Sequence, residues 1–205
     1  MKRTLVTVSC QYGSDGHRIG ERLAEVLELP FYDREYFSSR RQTEDVADEF
    51  GENRGEMGKR LYAFATGTDH ELGICGSVAL PEEDLNFLDL TDAVRLLAKE
   101  GGCVIMADGC EVAVGEFTHR IDVYVSGDKE DRVRRVASRE GISMRAAKRR
   151  VKQMDKKSKS YCNFHAGARW GIPERYALCI NSSLLGVDGS VATIRSAIDR
   201  KTKGT

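Results

Sequence analysis

Apolar and polar positions along the chain follow two periods. Leu5–Ser9 is a short β-branched run that predicts a strand, and the loop Cys10–Gly16 follows it. From Ile19 the apolar positions become helical, with Ile19, Leu23, Val26 and Leu27 on one stripe that Pro30 ends. Phe31-Tyr32 starts a second short strand ending at Asp33. Strand, glycine loop, helix and strand in that order open a parallel βαβ unit. The pattern resumes with a helix over Thr91–Lys99, stopped by Gly101-Gly102, and with strands over Cys103–Asp108 and Ile121–Ser126. A helix over Lys129–Glu140 comes next, then a long basic helix capped by Ser143 and running to about Lys157. A last strand, Leu178–Asn181, precedes a helix from about Asp188 to Arg200. Five strands alternating with helices predict an α/β fold: a doubly wound, five-stranded parallel sheet with helices on both faces.

Residues 34–88 break this rhythm. They are acidic and glycine-interrupted, and they read as helices and loops inserted at the edge of the sheet rather than as a second domain. A chain of 205 residues can build one substantial core, so 1–205 is expected to be a single domain. Apolar runs such as Ile121–Val125 are too short to cross a bilayer, and the apolar start at Leu5 stops too soon for a signal peptide, so a cytoplasmic location is expected. The six cysteines (10, 75, 103, 110, 162 and 179) form no C-x-x-C pair, which predicts reduced, mostly buried thiols and no structural zinc. Net charge is formally zero but unevenly spread: acids outnumber bases from Glu21 to Glu100, and bases dominate from Lys129 to Lys159. That asymmetry predicts a positive surface for an anionic ligand.

In doubly wound sheets ligands bind beyond the carboxyl ends of the strands. The segments there are Cys10–Gly16, Asp33–Tyr36 and Asp108–Glu111, and all three are polar. Gly13 and Gly16 let the first loop turn tightly and present N–H groups, beside the positive end of a helix that starts near His17. Gly13, Ser14, Asp15, Gly16, His17 and Arg18 are therefore candidate phosphate-binding residues, although a glycine turn between strand and helix is also common as plain structure. The Walker pattern G-x-x-x-x-G-K-[ST] is absent. His17 and Arg18 place cations where the helix dipole opposes them, and a bound phosphate would offset that cost. Arg18 can then supply the charge of the missing lysine, or it is simply solvated. Arg145, Arg149, Lys152, Lys156 and Lys159 share one helical face, opposite Ala147, Val151 and Met154. Such a stripe is either a solvated surface or an anion-facing one.

The run Ser9-Cys10-Gln11-Tyr12-Gly13-Ser14-Asp15-Gly16-His17-Arg18-Ile19-Gly20, followed by Pro30-Phe31-Tyr32-Asp33, resembles the cytidylate kinase-like family. The family pattern is close to S-R-Q-Y-G-S-G-G-x-x-I-G and then P-F-Y-D. The resemblance extends to Asp155-Lys156, Tyr161, Trp170-Gly171 and Leu178-Cys179-Ile180-Asn181, and is poorest over residues 40–90. It implies a P-loop nucleoside-monophosphate-kinase fold in which 34–88 is the acceptor-binding helical insertion and 143–172 a basic helical lid that closes over phosphates. It also implies ATP and Mg²⁺ as cofactors. Asp108, in a segment similar to D-G-R-D, would hold the magnesium through water. Arg18, Asp108, Lys156 and Lys159 would be catalytic, and Asp33, Tyr36 and Arg40 would bind the acceptor. Trp170 and Tyr161 read as packing residues.

Three positions where the family carries arginine hold Cys10, Cys110 and Ser158. Phosphoryl transfer depends on cations placed around the transferring group, and losing one such contact costs about 3 kcal/mol. The leading expectation is a phosphotransferase moving the γ-phosphate of ATP to a nucleoside monophosphate (CMP-like) or a related small acceptor. The alternative is a nucleotide-binding or regulatory module of weak or no activity. Nucleic-acid binding through 143–159 is a third reading, opposed by the formal neutrality and the lack of any RRM, KH or zinc-finger signature. No nucleic-acid or membrane partner is expected, and homo-oligomer formation stays open.

Overall fold

The structure is a computed structural model that describes residues 4–40, 91, 93–97, 101–114, 119–165 and 170–203. Five strands form one parallel sheet: β1 (Leu5–Cys10), β2 (Phe31–Asp33), β3 (Cys103–Met106), β4 (Arg120–Ser126) and β5 (Leu178–Asn181), in the spatial order β2-β3-β1-β4-β5. Every pairing is parallel, with Val6 opposite Val104 on one side and Ile121 on the other. The sequence-based expectation of a doubly wound α/β sheet is met. The order reverses on either side of β1, and this is where such sheets leave a crevice at the strand ends.

Alternation along the strands decides which helices cover which face. Val6 and Val8 of β1, Val104 of β3 and Ile121, Val123 and Val125 of β4 form one cluster with Ile19, Leu23 and Leu27 of helix α1 (Gly16–Leu27) and with Val191, Ile194 and Ile198 of the C-terminal helix, Ser182–Lys203. The opposite face holds Leu5, Cys103 and Ile105 against Cys110 and Val114 and against Val94 and Leu97, in the helical stretch 93–97. That face also carries a buried polar seam: the Thr7 hydroxyl donates to Asp122 (2.6 Å) and the Ser9 hydroxyl to Glu111 (3.1 Å).

The remaining helices are α2 (Arg34–Arg40), α3 (Cys110–Ala113), α4 (Lys129–Glu140) and α5 (Met144–His165); the C-terminal helix is α6. Val133 and Val136 of α4 pack on Ala147 and Val151 of α5, with Tyr12 of the first loop against them. Ser143 caps α5 as its position predicts, through its Oγ and the Ala146 N–H at 3.3 Å. Some boundaries differ from the sequence pattern. Helix α1 starts at Gly16, within one residue of the expected start near His17 and ahead of its apolar stripe, because its first turn faces the loop. Helix α5 runs eight residues past Lys157, since Cys162 continues its buried side. Helix α6 is broken at Gly186 (φ 65°, ψ −174°), so its unbroken part starts close to the expected Asp188. Of the expected insertion 34–88 only α2 lies within the described residues. Among the described residues, no helix is long and apolar enough to cross a membrane.

Gly13 shows how closely the first loop is fitted to α4. Its φ is +80°, and a Cβ there would lie 2.8 Å from Val136 Cγ2 and 2.9 Å from the Arg132 carbonyl oxygen. Gly141 also has positive φ (+65°) but faces open space. Gly141→Ala therefore meets only the backbone penalty of about 1 kcal/mol, whereas Gly13→Ala adds overpacking of about 1–3 kcal/mol. Urea unfolding of the two variants should show this ordering.

Candidate functional site

The carboxyl end of β1 leads into the loop Gln11–Asp15, and the chain around it is held from three sides. The Gln11 N–H donates to the Val125 carbonyl (2.9 Å) and the Gln11 side-chain oxygen accepts from the Gly127 N–H (3.2 Å), fixing the loop to the end of β4. Ser14 is fully buried, and its hydroxyl donates to the Gln11 and Val125 carbonyls. The third support comes from the helices. Arg132 of α4 is buried and donates to the carbonyls of Gly127 (3.1 Å) and Tyr12 (3.2 Å) and to Asp155 Oδ2 of α5 (2.7 Å). Asp155 Oδ1 in turn accepts the Tyr12 N–H at 2.9 Å. One ion pair thus grips both the N–H and the C=O of Tyr12.

Beyond the loop, the N–H groups of Gly16, His17 and Arg18 belong to the first turn of α1 and have no helix carbonyl to meet. They and the helix dipole form the anion-attracting end that the sequence predicts. The nearby cation is Arg135 of α4. Its guanidinium reaches the Gly13 carbonyl (3.4 Å), Ser182 Oγ (3.3 Å) and the Asp15 carboxylate (3.1 Å). Arg18 is largely exposed, 4.0 Å from Asp15.

Asp108 follows β3, and burial raises its pKa, opposed by the Ser158 hydroxyl, which donates to it at 3.0 Å, and by the charges of Arg34 and Lys157. Position 158, one of the three expected arginines, is therefore the residue that touches Asp108. Cys10 is half-buried against Gly16, where a Cβ would lie 2.6 Å from its sulfur, and desolvation next to Asp108 pushes the thiol up to about 12. Cys110 points back to the Ile105 carbonyl (3.9 Å) with its thiol raised by burial, so both cysteines are protonated packing groups. Glu111 is buried as well, with its pKa raised by desolvation, and the Tyr176 hydroxyl approaches it at 3.5 Å.

His17, Asp33, Arg34, Glu35 and Met106 line a cavity of about 460 Å³ between the first turn of α1 and the ends of β2 and β3. Asp33 is engaged on both oxygens, accepting the Tyr36 N–H (2.9 Å) and pairing with His17 (2.9 Å). Burial would raise the Asp33 pKa, but these two partners more than offset it and the net shift is downward. Tyr36 lies on the other side, packed on Tyr32 and Phe37. The side chain of Arg40 lies outside the described residues. Lys156 and Lys159 are exposed on α5, as are Arg145, Arg149 and Lys152, while Lys157 is the lysine whose charge acts on Asp108. Trp170 packs edge-on against Tyr124 and Tyr161 stacks with His165.

The model of the cytidylate kinase-like family matches residues 5–184. The chain belongs to that family. No protein of the curated set matches the sequence. Among solved structures, an uncharacterized protein from Eubacterium ventriosum is similar at 23% identity and TM-score 0.71, over 96% of this chain and 99% of that one. A gluconokinase from Sinorhizobium meliloti (13% identity, TM-score 0.55, 98% and 95% covered) and a shikimate kinase from Bacteroides thetaiotaomicron (13%, 0.51, 96% and 98%) share the fold. The P-loop kinase-like fold that the first-loop motif implies is thereby shown, and these neighbours speak to the fold alone.

Within this family member, sequence reasoning passed over Arg132 and Arg135. Both sit in a run, Asp131-Arg132-Val133-Arg134-Arg135-Val136, whose charges look like an ordinary solvated helix face. The available signal was spacing: Arg132 flanks Val133 and Val136 on the side that packs inward. Asp155 was visible through the resemblance but without a role. Arg132→Met leaves the half-buried Asp155 without its ion partner and is expected to cost about 2 kcal/mol, with a coupling of about 1 kcal/mol to Asp155→Asn in a double-mutant cycle read by chemical denaturation.

Proposed function

We propose that this protein binds a nucleoside triphosphate through the first loop and transfers its γ-phosphate to a small acceptor, a nucleoside monophosphate (CMP-like) or a relative of one. The observation that carries the reading is the convergence, at the strand carboxyl ends, of the first turn of α1, Arg135, the half-buried Asp108 and the cavity beside His17.

The residues fit the groups this chemistry needs. Unpaired first-turn N–H groups and the guanidinia of Arg135 and Arg18 suit phosphate oxygens, Arg by its forked donors. Among the described residues no cluster of three or more His, Cys, Asp or Glu could hold a metal ion by itself. That is compatible with magnesium, which is commonly held by one or two carboxylates together with water and substrate phosphates. Asp108, at the end of β3, is the carboxylate that would hold it; desolvation raises its pKa, and a bound cation would favour its charged form. Mg²⁺, when bound, supplies charge neutralisation on the phosphates. The chain's own part is then positional. Arg132 and Asp155 hold the loop backbone, Arg135 and Arg18 face its anion, and Arg34 presents positive charge to the acceptor cavity, which His17 also lines. Asp33 lines that cavity and the Tyr36 N–H holds its carboxylate, and Lys156, Lys157 and Lys159 stand on α5, which reaches Asp108 through Ser158.

A binding module without turnover is favoured by one specific observation: Asp108 meets a serine hydroxyl where the resemblance expects a guanidinium. Purified protein with ATP, Mg²⁺ and a panel of nucleoside monophosphates should release ADP with at least one acceptor, and Asp108→Asn should slow it about 100-fold. Saturable ATP binding with no turnover on any acceptor would sink transfer and leave the binding module.

A further inference from the structure

Asp15 is the unusual residue of the loop. It is the N-cap of α1 in the left-handed region (φ 58°, ψ 20°), at a place where the family pattern has glycine, and its side chain makes no capping hydrogen bond. Aspartate tolerates that region better than most residues, and here its carboxylate is also held from outside. The surroundings are two guanidinia: Arg135 Nε at 3.1 Å and Arg18 at 4.0 Å. The other contacts of Arg135, the Gly13 carbonyl and Ser182 Oγ, ring the same loop mouth. A carboxylate therefore engages the donors that suit a phosphate, beside the open first turn of α1.

We propose that Asp15 is a built-in counter-anion of the phosphate loop, which the polyphosphate of an incoming ligand must displace from Arg135. The inference rests on reading this loop as the nucleotide-phosphate site. It makes Asp15 a determinant of ligand class. A monoanion offers Arg135 no more than the carboxylate already does, and must approach that carboxylate as well. A di- or triphosphate can engage Arg135, Arg18 and the first-turn N–H groups together, and so wins the exchange. Affinity is then the difference between phosphate and carboxylate at Arg135, and part of the intrinsic strength of the loop is masked by its own side chain.

The test is calorimetric titration of ATP, with and without Mg²⁺, into the full chain and into Asp15→Asn and Asp15→Gly. Asparagine keeps the shape and tolerates positive φ, and glycine relieves it, so both variants are compatible with the loop. Each is expected to bind ATP about tenfold more tightly than the wild type, in both metal conditions. Equal or weaker binding by Asp15→Asn overturns the exchange; weaker binding only with Mg²⁺ would make Asp15 a metal ligand instead. If wild type and variants all fail to bind ATP, the nucleotide reading of the loop falls and this inference with it. If the wild type binds and Asp15→Asn matches it, the exchange alone is overturned.

Discussion

The ion pair between Arg132 and Asp155 is the contact on which the geometry of the first loop depends. Backbone in a turn must have its polar groups satisfied, and Tyr12 satisfies both of its own through this one pair. Because Arg132 is on α4 and Asp155 on α5, the loop is tied to two helices that are themselves packed through Val133, Val136, Ala147 and Val151. A largely buried pair of this kind, with Asp155 half-buried, adds little net stability relative to an apolar pair, but removing either member leaves the other charge without its partner. Its consequence here is positional: with Tyr12 gripped and Gly13 pressed against α4, the chain can reverse at positive φ and deliver the open end of α1 to the sheet switch point.

The distribution of cations follows from the same arrangement. Positions 10, 110 and 158 hold small groups where arginine is expected from the family, and two of them are thiols whose pKa is raised by desolvation. Positive charge near the loop comes instead from α4, through Arg135, and from the exposed Arg18. The basic stripe of α5 points largely to solvent along Arg145, Arg149 and Lys152, and its inward positions, Asp155, Ser158 and Cys162, are the ones that touch the loop and the strand ends. The chemistry open to the site is therefore governed by a few guanidinia meeting one loop, with the half-buried Asp108 at the end of β3.

The sheet was legible from the sequence because strand period and burial coincide: Val6 and Val8, or Ile121, Val123 and Val125, mark one face without ambiguity. The turn of the first loop was legible because Gly13 has no alternative at its position, with positive φ and α4 closer than a Cβ would allow. The start of α1 was less so, since Gly16, His17 and Arg18 carry no apolar signal. Arg132 and Arg135 were hidden for a physical reason. Their partners, Tyr12, Gly13 and Asp15, lie more than a hundred residues away in the chain, and no local spacing distinguishes a buried arginine from a solvated one. The cavity beside His17 was read only in part. Asp33 was recognised as polar at a strand end, but its two oxygens are already engaged by Tyr36 and His17.

The central claim is that the loop from Gly13 to Arg18 receives the phosphates of a nucleotide. Backbone amide NMR during an ATP titration addresses it most directly. The account predicts that the largest saturable shifts fall on Gly13, Asp15, Gly16, His17 and Arg18, with the Arg135 side-chain N–H moving alongside them. Shifts confined to the exposed basic positions of α5, such as Arg145, Arg149 and Lys152, with the loop amides unmoved, would contradict it.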